Sequence, residues 1–141
     1  MSHTLALGHL TQAARDRSIE PLRVSALPEP LNPLRWDGFV EDRSYYWRGL
    51  VSALSGSVVL EATAKPDADR TAALAAQSHE VQVYLWFARF PELSERVEDG
   101  RRILDYRDLR FAYPLLSRDT FGRLRVILSR DGVVERVLFN P

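Results

Sequence analysis

The chain has 141 residues, 45% hydrophobic and 27% charged, with 19 Lys+Arg balancing 19 Asp+Glu and no Cys. These values fit one globular domain and set aside disordered, fibrous and collagen-like polymers. Disulfides, thiolate metal sites and Cys nucleophiles are excluded, the redox compartment stays open, and a net charge of zero argues against general nucleic-acid binding.

No run of about 18 apolar residues is present to span a bilayer, and residues 1–10 lack the basic region and apolar stretch of a signal peptide. Residues 4–15 are helix-permissive, with Leu7, Leu10 and Ala14 at i, i+3 and i+7. They read either as an amphipathic start or as the cut end of a longer helix, and the Leu5, Leu7 and Leu10 stripe would also suit helix pairing between chains. Pro21, Pro28, Pro30 and Pro33 follow closely, and their fixed φ and missing N–H predict an extended connector over 19–35. Residues 36–40, 45–54 and 57–62 are expected to form a three-stranded meander. Its middle strand places Tyr45, Trp47, Gly49, Val51 and Ala53 on one face.

Pro66-Asp67-Ala68-Asp69 supplies helix-start chemistry ahead of an Ala-rich run, residues 71–77. A second helix is predicted over 79–89, although strand alternation also fits that stretch. Val83, Trp86, Phe87 and Phe90 leave it little polar surface, which predicts a place at the centre of the core. Strands are expected over 93–98, 102–105, 108–113, 124–129 and 133–139, with Asp131-Gly132 as a two-residue type I′ hairpin turn. The sum is a single α+β domain: an N-terminal helix over 1–18, then residues 19–141 as a largely antiparallel sheet packed against a central helix.

Chemistry-bearing motifs are few. His3, His9 and His79 are the three imidazoles, spaced for neither an i, i+3 nor an i, i+4 ligand pair. No nucleophile elbow or phosphate-binding glycine loop occurs, so no catalytic residue, metal ligand or cofactor is assigned. Between Arg101 and Arg125, seven arginines (Arg101, Arg102, Arg107, Arg110, Arg118, Arg123, Arg125) stand against Asp105, Asp108 and Asp119. That excess reads either as an anion or lipid-headgroup face carried by Arg101, Arg102, Arg123 and Arg125, or as cross-strand ion pairs on a solvated sheet. The aromatics Trp36, Tyr45, Tyr46 and Trp47 suit a plain core or a stacking platform.

Four segments occur in a suggestive order: Pro28-Glu29-Pro30-Leu31-Asn32-Pro33-Leu34-Arg35-Trp36, Trp86-Phe87-Ala88-Arg89-Phe90-Pro91, Asp108-Leu109-Arg110-Phe111 and Asp131-Gly132-Val133-Val134. Together they resemble the soluble C-terminal region of the membrane-bound metal-dependent hydrolases, a bacterial family of inner-membrane proteins. The family's transmembrane bundle, with its proposed metal-binding histidines and acids, has no counterpart in these residues, so its hydrolytic chemistry maps onto none of them. The resemblance implies a non-catalytic accessory domain at the bacterial cell membrane, contacting the membrane domain of a parent protein, a lipid headgroup or a substrate. Residues matching the pattern are Asn32, Pro33, Trp36, Arg89, Pro91, Asp108 and Arg110; of these Trp36, Arg89, Asp108 and Arg110 are the candidate ligand contacts. Asp108 and Arg110, two apart, are expected to share a face and pair. The alternative is a free-standing α+β ligand-binding or enzymatic domain whose pocket is lined by Trp36, Trp47, Trp86 and Tyr84, with Asp108 and Arg110 as its polar groups.

Overall fold

The structure, a computed structural model, describes residues 2–30, 32–66, 69–112 and 121–141. The chain is α+β and begins with a helix, as expected, and every strand pairing is antiparallel. Its strands form two four-stranded sheets in place of one, and the chain divides into two compact units, residues 1–64 and 65–141.

Unit 1 holds α1 (His3–Asp16), β1 (Arg23–Glu29), β2 (Asn32–Glu41), β3 (Tyr45–Ser52) and β4 (Glu61–Ala64), with the strands side by side in chain order. Ser2 caps α1 by accepting from the Leu5 N–H at 3.4 Å. Ala6, Leu10 and Ala14, spaced i, i+4 and i+8, form its buried stripe and meet Ala26, Val40 and Val51 of the sheet. Two small residues let the helix lie close. Gly38 is a third: a Cβ there would stand 2.3 Å from Leu10 Cδ2. At the other end, Ser18 N–H bonds Arg15 O and Ile19 N–H bonds Ala14 O, a Schellman closure with Ser18 at φ 56°. On the opposite sheet face Asp37 is buried and takes two bonds from Arg48, Nε to Oδ1 at 2.9 Å and Nη2 to Oδ2 at 2.5 Å.

The expected connector over 19–35 is corrected here, because β1 and the start of β2 lie within it. β1 is an edge strand, Pro28 falls where its register shifts, and Pro33 is the second residue of β2, so neither proline interrupts a central ladder.

Unit 2 holds α2 (Arg70–Ala75), α3 (His79–Phe87), β5 (Pro91–Glu98), β6 (Arg101–Asp108), a 3-10 turn (Leu109–Phe111), β7 (Arg123–Leu128) and β8 (Val134–Phe139). Asp69 caps α2 through the Ala72 N–H at 2.6 Å. Leu104, Tyr106, Leu124, Val126 and Leu128 alternate onto one sheet face and pack with Ala75, Val81, Tyr84 and Ala88.

Three further expectations change. The strand placed over 108–113 ends at Asp108 and gives way to the 3-10 turn, with residue 113 outside the described residues. The loop at Asp131-Gly132 has three residues: Gly132 N–H bonds Ser129 O, Ser129 N–H bonds Val133 O, and Gly132 has the positive φ, a type I turn with a glycine bulge. The two-residue turn with both φ values positive is instead Asp99-Gly100, between the paired residues Glu98 and Arg101. Lastly, α3 is not enclosed by the core. Val81 and Tyr84 are buried, whereas Val83, Trp86 and Phe87 are exposed.

Candidate functional site

Asp108 ends β6 and opens the 3-10 turn, fully buried. Its Oδ1 accepts from the Arg110 N–H at 3.1 Å; its Oδ2 accepts from the Arg89 N–H at 3.1 Å and from Arg110 Nε and Nη2 at 2.9 and 2.7 Å. Arg110 also donates to Phe87 O at 3.1 Å. Asp108 and Arg110 therefore pair as expected, and the acid ties together the exit of α3, the end of β6 and the turn. Four hydrogen bonds on two buried oxygens make Asp108 a fastener of these three segments. Beside it the Tyr84 hydroxyl donates to Gly122 O at 2.7 Å, and burial, then the Asp108 charge, push that phenol well above its ordinary pKa.

Of the expected ligand contacts, the structure brings Arg89, Asp108 and Arg110 together in unit 2, whereas Trp36 belongs to β2 of unit 1. There Trp36 is half-buried, packs on the core and lies 5.7 Å from the His3 ring. Of the expected pocket residues, Trp36 and Trp47 belong to unit 1, and Tyr84, buried in the core, and Trp86, exposed, belong to unit 2.

The arginines of β6 and β7 are largely engaged. Arg101 bonds Glu135 at 2.6 Å, Arg125 bonds Asp105 at 2.7 Å, Arg107 bonds Glu92 at 2.5 Å, and Arg96 also reaches Asp105. Strand alternation puts Arg101, Asp105 and Arg107 on one face with Arg123 and Arg125 opposite them. Arg102 points the other way, to Thr71 Oγ1 of α2 and Glu95. The four arginines singled out from sequence thus do not share a face. Burial alone would raise the Asp105 carboxyl, but the hydrogen bonds and charges of Arg125 and Arg96 outweigh it and hold the group below its ordinary value. Among the described residues no three His, Cys, Asp or Glu side chains are placed to hold a metal ion.

What stands open is aromatic. Val83, Trp86 and Phe87, at i, i+3 and i+4, share a face of α3, and Trp86 is 87% exposed. Phe87 stacks on Phe111, with centroids 6.4 Å apart and planes 5° from parallel, and Phe111 meets Phe121 edge-on at 5.0 Å. The Arg110 guanidinium lies 5.2 and 5.0 Å from the Phe87 and Phe111 centroids. Phe121, 61% exposed, completes the patch. Phe111 and Phe121 were not singled out in the sequence; the available signal was a helix apolar on every side, which one core face cannot fully cover.

No protein-family model matches the sequence, no curated protein matches it, and no solved structure matches the fold.

Proposed function

We propose that the chain is a non-catalytic binding domain that works against a membrane surface, as an accessory part of a membrane-bound hydrolase-like protein, with the α3 patch as its contact. One observation carries this reading: α3 is apolar on both sides, and only the side bearing Val81 and Tyr84 is buried within unit 2. Contiguous exposed apolar patches mark interaction sites, and Trp and Phe favour the boundary between hydrocarbon and water. Taking Trp86 alone out of water removes on the order of 200 Å² of surface, at most about 5 kcal/mol at about 25 cal/mol per Å². The Arg110 guanidinium, neutralised by Asp108, lies against the Phe87 and Phe111 rings and braces the patch from within unit 2. No described helix is long and apolar enough to cross a membrane, which fits a surface contact.

The test is co-sedimentation with phosphatidylcholine vesicles, with and without phosphatidylglycerol, at low and moderate salt. The wild-type chain is expected to sediment with vesicles, and Trp86→Ser and Phe121→Ser to remain in the supernatant with unchanged circular dichroism. Absence of wild-type binding to either vesicle, or equal binding by both variants, overturns the reading.

A further inference from the structure

We propose that unit 1 carries a small-molecule site, independent of the α3 patch, for a ligand that joins a planar ring to an oxyanion, phosphate or carboxylate. The site is a cleft of about 570 Å³ between the strap of residues 17–22 that follows α1 and the turn of residues 42–45, with Trp47 beside it. That volume falls within the roughly 300–1,000 Å³ typical of small-ligand sites.

Both walls are fixed by the backbone. The Schellman closure at Ser18 sets the direction of the strap, and Leu22 N–H bonds Glu41 O at 2.7 Å. Opposite, Asp42 Oδ1 accepts from the Ser44 and Tyr45 N–H groups, each at 2.7 Å, and its Oδ2 accepts from Trp47 Nε1 at 2.7 Å. Three hydrogen bonds thus occupy the Asp42 carboxylate and hold the indole in one orientation. The Tyr45 ring stands 5.7 Å from the Trp47 ring at 54°, and Tyr45 is exposed, which leaves an aromatic surface for a planar group.

Two arginines line the same cleft as these rings. Arg17 spends Nη1 on Leu60 O at 2.6 Å and retains the rest of its fork. Arg43 is exposed at the turn and carries no ion pair among the described residues. Glu20 and Asp42 set two carboxylates against these two arginines in the cleft lining, so the cleft suits a single oxyanion seated between Arg17 and Arg43 and not a polyanion.

Phenyl phosphate is the probe, followed by amide and indole chemical shifts of the full chain. Binding is expected to shift Ser18, Ser44, Tyr45 and the Trp47 indole, to weaken about tenfold or more in Arg43→Gln, and to persist in Trp86→Ser, which separates this site from the vesicle contact. Inorganic phosphate and phenol are each expected to bind more weakly than phenyl phosphate. No shifts at these residues up to about 10 mM, a concentration that would reveal even a contact near the millimolar limit, overturns the proposal, as does an unchanged affinity in Arg43→Gln. A response to inorganic phosphate equal to that of phenyl phosphate removes the ring from the ligand class and overturns it in that form.

Discussion

Two acids of unit 2 separate a structural charge from an ornamental one. Asp108 is fully buried under four hydrogen bonds, and removing its charge leaves the Arg110 guanidinium desolvated and the Arg89 N–H short of its partner. Asp108→Ala is therefore expected to cost about 3–5 kcal/mol, the range for breaking one side of a buried pair, read as a lower urea midpoint. Glu135, paired with Arg101 at the exposed surface, is expected to tolerate Glu135→Gln without a measurable change in midpoint. Ser18 works in the reverse sense. It holds φ 56°, a conformation that costs an L-residue about 1–2 kcal/mol, so Ser18→Gly is expected to stabilise the fold by about 1 kcal/mol, read as a higher urea midpoint, while keeping the Schellman bonds. A fall instead would show that the serine side chain stabilises the strap.

At the level of elements, the closest packing in unit 1 is α1 on Gly38. A methyl there meets Leu10 Cδ2 at 2.3 Å and Cδ1 at 2.8 Å, with Gly49 O at 3.0 Å behind it. Leu10 is fully buried and has little room to turn, so Gly38→Ala is expected to lose about 1–3 kcal/mol as α1 lifts from the sheet, measured by thermal unfolding. That constraint was invisible in the sequence, where Gly38 sits within an ordinary strand. What local pattern determines was legible: the amphipathic α1, the Asp69 cap of α2, and the alternation of β3 and β7. The rest depended on neighbours. β1 was hidden because its prolines matter only in a central strand, and its edge position is decided by which strands pair. Asp99-Gly100 and Asp131-Gly132 are the same dipeptide, yet one closes a two-residue turn and the other ends a three-residue loop, since register is set by the flanking strands. The candidate site divides in the same way. Asp108 and Arg110 followed from spacing, whereas the Arg89 N–H and the Phe87–Phe111–Phe121 stack arise where α3, β6 and the 3-10 turn meet.

For the molecule as a whole, the two units repeat one plan, helical segment then four-stranded antiparallel meander, without a visible repeat in sequence. Each has its own core, so each carries its own response to pH. In unit 2 the response has two limbs. Asp105 has a lowered pKa, so its contribution to stability is present above its ordinary value of 3.8 and is lost as pH falls through the lower folded value. Tyr84 and Tyr106 are both raised, Tyr84 by burial and then Asp108, Tyr106 by burial and then Asp69. Their contribution is complete below the ordinary value of 10.0 and is lost as pH rises past it, because the unfolded chain releases the phenolic protons first. Urea midpoints are expected to be flat near neutrality and to fall both in acid below about pH 4 and in alkali above about pH 10. Tyr84→Phe is expected to lower the neutral midpoint, through the lost bond to Gly122 O, and to flatten the alkaline limb. Hydrogen exchange resolved by residue locates the change: amides of β6 and β7 must lose protection along that limb in the wild type and retain more of it in the variant. An alkaline limb of equal slope in both proteins would assign the loss to groups other than the buried phenol.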